Sequence, residues 1–107
     1  MRSIEVGEYI FLIGKNAEEN DKLVKQSDPA HIWFHLANLP SCHGVINCTE
    51  EQLTNKIRHV CGCQLKKFTK YKNITGIYVN YTAIKNIETT KKPGLVNLKV
   101  KPGKFKV

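Results

Sequence analysis

The chain has 107 residues, which holds one small domain; residues 1–107 are read as that domain, with a core from about residue 9 onward. Hydrophobic residues make up 41% and charged residues 24%, the composition of an ordinary globular chain, and no window approaches 18 consecutive apolar residues, so no membrane partner is expected. The formal charge of +8 is unevenly spread: residues 1–55 carry four basic against eight acidic residues, residues 56–107 thirteen against one, so a half at −4 joins a half at +12. That asymmetry points to a polyanionic partner and away from a basic substrate.

Tyr9-Ile-Phe-Leu-Ile13 is a continuous apolar run closed by Gly14, which predicts a buried strand and a tight turn. Asn16 follows as an N-cap with Glu19 three residues on, and the spacing predicts a helix over 17–26, ended by Asp28-Pro29. Ile32–Leu36 alternates as a second strand, with Ile32, Phe34 and Leu36 on one face and Trp33 and His35 on the other. After a loop containing Pro40, residues 44–48 read as a third strand. Thr49 with Gln52 then predicts the start of a second helix, in which Leu53, Ile57, Val60, Cys61, Leu65 and Phe68 share a face. Gly62 interrupts that pattern.

The last third is strand-rich. Ile77, Val79 and Tyr81 alternate with Tyr78 and Asn80, and Val96, Leu98 and Val100 with Asn97, Lys99 and Lys101. Pro102-Gly103 predicts a turn into a returning strand carrying Phe105 and Val107, so that Lys99, Lys101, Lys104 and Lys106 share the exposed face of one hairpin. The fold class is therefore α+β: a small single domain with a mixed or mainly antiparallel sheet, two main helices and a C-terminal β-hairpin.

No basic n-region followed by an apolar h-region opens the chain, so the expectation is a cytoplasmic protein with reduced thiols. The sequons at Asn47, Asn73 and Asn80 then read as chance matches. Cys42, Cys48, Cys61 and Cys63 lack the paired spacing of a zinc ribbon, and neither metal nor cofactor is expected. No Gly-x-Ser-x-Gly, Walker A or HExxH pattern occurs, so no catalytic residue and no small-molecule substrate is assigned.

Basic residues form the main candidate site. Lys66, Lys67, Lys70 and Lys72 surround Phe68 and Tyr71, and Lys91 and Lys92 follow later. Ammonium groups neutralise phosphates and release counterions, and interleaved aromatics stack on unpaired bases. Lysine rather than arginine suits backbone contact better than bidentate base reading. Trp33 and His35 are either an exposed stacking platform or a buried tryptophan with a satisfied core histidine. His43 is either a ligand-binding or a solvated loop residue.

Four segments carry a resemblance: Gly14-Lys15-Asn16-Ala17, Asn20-Asp21-Lys22-Leu23, Ile32-Trp33-Phe34-His35 and Pro40-Ser41-Cys42-His43. With Val79-Asn80-Tyr81-Thr82 and Lys91-Lys92-Pro93-Gly94, they make the chain resemble the NFACT-R domain family from Tyr9 to the end. The sequence departs from the family pattern at Ser41-Cys42, where glycine then serine is usual, and at Gly44, where an apolar strand residue is usual.

The resemblance implies an RNA-binding module. In larger relatives it belongs to ribosome quality control factors that hold transfer RNA on stalled large subunits. This chain has the domain alone, so their tailing activity is not carried over. The expected function is non-catalytic binding of RNA, transfer or ribosomal, through the basic C-terminal half, in translation or ribosome quality control. Docking on a ribosomal protein and duplex DNA binding are the alternatives. The expected contact residues are Lys15, Asn16, Asn20, Trp33, His35, His43, Lys66, Lys67, Lys70, Lys72, Lys91 and Lys92.

Overall fold

Strands with apolar residues on both faces need cover on both, and the runs at 9–13 and 32–36 receive it, more fully on one face than on the other. The computed structural model describes residues 1–107. Its elements are β1 (Arg2–Val6), β2 (Tyr9–Ile13), α1 (Ala17–Gln26), β3 (Ile32–Leu36), β4 (Gly44–Ile46), α2 (Asn55–Lys67), β5 (Tyr78–Ala83), a 3-10 turn (Ile84–Asn86), β6 (Ile87–Thr89), β7 (Val96–Leu98) and β8 (Gly103–Lys106). Six strands form one sheet in the order β1-β2-β4-β3-β5-β8, antiparallel throughout, and β6 and β7 form a separate hairpin. The α+β class, the mainly antiparallel sheet, the two helices and a hairpin in the C-terminal part agree with expectation.

Phe11, Ile13, Ile32, Phe34, Leu36 and Val79 meet Cys61 and Leu65 of α2 on one face of the sheet. Trp33 and Val45 meet Leu23 and Val24 of α1, with Ile84 and Ile87, on the other. The period-2 split of β3 is therefore real, and both halves of it are core: Phe34 is 0% exposed and Trp33 2%.

Helix α1 spans the predicted residues. Asn16 Oδ1 accepts the Glu19 N–H at 2.9 Å, and Glu19 Oε1 reaches back to the Lys15 N–H at 2.9 Å, one residue beyond the usual capping box. Helix α2 starts later than predicted. Thr49 N–H does donate to Gln52 Oε1, but that turn does not propagate, and Thr54 Oγ1 accepts from Ile57 N–H as the working N-cap. The helix runs unbroken through Gly62, where a Cβ would lie 2.5 Å from the Phe105 ring.

The lysine arrangement at the C-terminus is corrected. The Val96–Leu98 stretch pairs backwards with Ile87–Thr89, and Gly103–Lys106 pairs with β5 as an edge of the main sheet. Phe105 and Val107 pack toward α2 and pull β8 to that edge, so the lysines at 99 and 101 do not share a hairpin with those at 104 and 106. Strand β1 was not predicted; only Ile4 and Val6 of it are apolar. It joins β2 through Gly7-Glu8, and Gly7 at φ +62° supplies the positive φ of a type II′ hairpin turn.

Candidate nucleic-acid interface

Segments far apart in the chain meet at one corner. Gly14 N–H donates to the His43 carbonyl at 3.0 Å, and His43 N–H donates to Asn20 Oδ1 at 3.2 Å. A Cβ at residue 14 would lie 2.1 Å from Asn20 Oδ1, so glycine is what lets β2 turn tightly over α1. On the far side Gly94, at φ +81°, rests against Ala17, where a Cβ would lie 3.2 Å from the Ala17 Cα. The Lys91–Gly94 loop is thereby seated on the start of α1.

An open cleft of about 630 Å³ lies at this corner. Lys15, Asn16 and Asn20 line it from β2 and α1, Ser41 and Cys42 from the loop before β4, Phe68, Thr69 and Lys70 from the end of α2, and Lys92 from the loop before β7. None of its lining residues is acidic. Helix α1 opens on the cleft, so the positive end of its dipole faces it. The nearby Glu19 carboxylate is already engaged, 3.1 Å from the N-terminal ammonium, and the Lys15 N–H hydrogen bond holds its carboxyl below the ordinary range. Lysine heads around polar side chains and a helix start can hold two or more phosphates of a backbone.

Five of the twelve expected residues thus come together: Lys15, Asn16, Asn20, Lys70 and Lys92. Lys67, Lys72 and Lys91 are exposed but do not line the cleft. Lys66 Nζ donates to the Ile74 carbonyl at 2.7 Å and closes the loop that follows α2.

Trp33, His35 and His43 do not line this cleft; they line a neighbouring cavity instead. Trp33 and His43 are each 2% exposed, because α1 and the β6–β7 side cover this face of the sheet. Trp33 Nε1–H donates to His43 Nδ1 at 3.1 Å, and the His35 ring stacks on Trp33 at a centroid distance of 5.7 Å. Burial, followed by the neighbouring His35, pushes the His43 pKa down to about 4; burial lowers that of His35 as well. The Trp33 and His43 rings hold the loop that carries Ser41 and Cys42 in place.

Residues that sequence reasoning did not assign also reach the site. The Arg2 guanidinium lies 4.2 Å from the centroid of the Phe68 ring, which lines the cleft and is 36% exposed. Ser41 Oγ accepts the Leu36 N–H at 3.1 Å and donates to the Cys42 carbonyl at 2.9 Å, which shapes the cleft's edge. Gly44 sits within β4 rather than in a turn, and the Phe11 ring fills the space its side chain would take. The cysteines scatter: Cys48 and Cys61 are in the core with thiols pushed up by burial, Cys42 is half-buried and Cys63 exposed. No cluster of three or more metal-ligating side chains forms.

Residues 2–107 match the family described as NFACT protein RNA binding domain, essentially the whole chain. The chain belongs to that family. This NFACT RNA-binding domain is 27% identical over 93 residues to coiled-coil domain-containing protein 25 of Mus musculus, covering 82% of this chain and 45% of the relative. Its fold is that of the C-terminal part of the fibronectin/fibrinogen-binding protein from Streptococcus suis, with a TM-score of 0.85. The match covers 94% of this chain and 41% of that one; at 24% identity it shows the fold alone. The domain therefore spans less than half the length of either protein. The family is one of RNA binding rather than catalysis, and the domain is a nucleic-acid-binding module.

Proposed function

We propose that this NFACT RNA-binding domain holds transfer or ribosomal RNA by its phosphate backbone in the cleft between α1, the end of α2 and the Lys91–Gly94 loop, and that it does so in translation or ribosome quality control. A cytoplasmic site of action goes with this reading. One observation carries it: Lys15, Lys70 and Lys92, from three separate parts of the chain, rim one cleft that no acid lines. Phosphate contacts of this kind position an RNA without reading its sequence. Arg2 and Phe68 give the rim a cationic and an aromatic surface against which the strand can lie.

Replacing Lys15, Lys70 and Lys92 together by Glu tests the reading. All three are exposed, so stability by urea unfolding is expected to change by no more than about 0.5 kcal/mol per substitution, as is typical of surface changes. Affinity for transfer RNA at low salt is expected to fall by about a hundredfold or more. Unchanged affinity would move the binding surface elsewhere. Competition by duplex DNA as effective as by RNA, or ribosome association that survives ribonuclease, would favour the alternatives instead.

A further inference from the structure

A second cavity, of about 330 Å³, adjoins the cleft, and Gly94 and Leu95 line both. Its floor is a polar row across the sheet. The strand register sets His35 opposite Asn80, and the His43 ring lies 4.9 Å from that of His35. Its walls are apolar, and two of them are unusually bare: Leu95 is 53% and Leu98 38% exposed.

The hydrogen bonds of this row leave acceptors without donors. Trp33 Nε1 can only donate, so His43 Nδ1 accepts and its proton sits on Nε2. The Leu36 carbonyl, 2.6 Å from His35 Nδ1, can only accept, so His35 carries its proton on Nδ1 and a lone pair on Nε2. Asn80 Oδ1 is buried with no hydrogen-bond partner at all. A buried unpaired acceptor is costly and rare, and it calls for a donor. The cavity is at the small end of ligand pockets, flanked by apolar side chains, and continuous with a site for phosphates. A flat ring with an amino group, tethered to a phosphate, matches each of these features.

We propose that this cavity takes one unpaired base of the bound RNA, and that Asn80 Oδ1 and His35 Nε2 receive the base's exocyclic amino group. Cytosine and adenine present that group; uracil presents a carbonyl oxygen in its place, against two acceptors. Leu95, on the wall shared with the cleft, is the apolar surface on which the base packs. The inference rests on the phosphate-binding reading of the cleft and adds base selection to it.

The test compares cytidine and uridine decamers, which differ in the base and not in the backbone. The wild-type domain is expected to bind the cytidine decamer about tenfold more tightly. Trp33, the chain's one tryptophan, lines the cavity, and its emission is expected to change with the cytidine decamer. Asn80→Leu is expected to bring cytidine binding down to the uridine level without lowering the melting temperature, because it removes an unsatisfied buried amide. Leu98→Ala, at an exposed position that lines the cavity and not the cleft, is expected to weaken cytidine binding alone, so the proposal stays testable should Asn80→Leu fold poorly. Equal, salt-sensitive affinity for both decamers would overturn the base pocket and leave the cleft standing. Absence of salt-sensitive binding to either would overturn both.

Discussion

His43 shows how a single polar side chain joins the fold to the site. Its backbone N–H bonds Asn20, its carbonyl bonds Gly14, and its ring accepts from Trp33, so one residue links β2, α1 and β3. Burial keeps the ring neutral, with a pKa near 4 against about 6.5 in the unfolded chain. The unfolded state then binds more protons between those values. The contribution is fully present above pH 6.5 and is lost as pH falls toward 4, by about 3 kcal/mol in all. Urea unfolding at pH 7 and pH 5 checks this: His43→Gln should lose less stability between the two than the wild type, and parallel losses would refute it. Trp33→Phe, which leaves His43 Nδ1 without its donor, should cost about 1–3 kcal/mol in the same measurement. Period-2 alternation does place Trp33 and His35 on one face of a strand. It says nothing of what covers that face, and for this reason the two readings of Trp33 stayed open in the sequence.

At the scale of elements, the strongest local signals decided correctly. The Asn16 cap and the apolar run at 9–13 placed α1 and β2 to the residue, because caps and buried strands are dictated by neighbours in sequence. Pairing was not local. Val96–Leu98 joins β6 and Gly103–Lys106 joins β5, since Phe105 and Val107 find their apolar partners on α2 and not on the preceding strand. Gly62 records that contact from the helix side. In an isolated helix alanine would be preferred there by about 1 kcal/mol. Here its methyl would press on Phe105 and Val107, at 2.5 and 3.0 Å from the Cβ. Gly62→Ala should therefore destabilise the domain by about 1–3 kcal/mol despite its helix propensity, as read from the urea midpoint. A stabilised variant would mean that β8 is free to move away from α2.

Across the whole molecule, the charge split at residue 55 is a property of the chain rather than of the surface. The cleft takes Lys15 from the acidic half and Lys70 and Lys92 from the basic half, with Arg2 at the rim, while many of the remaining lysines lie elsewhere. Net charge pointed to the right kind of partner. The seating of Gly94 on Ala17 and the hydrogen bonds of His43 to Gly14 and Asn20 bring these parts of the chain together, and both are long-range contacts that no local pattern encodes. The measurement that bears most directly on this is affinity for transfer RNA as a function of salt. With about four to six phosphates neutralised, log affinity should fall with log salt at a slope of roughly −3 to −5. Replacing Lys15, Lys70 and Lys92 by Ala should make that slope shallower by about 2 to 3. A slope near zero in the wild type, or one that the three substitutions leave unchanged, would contradict a phosphate-binding cleft at this corner of the fold.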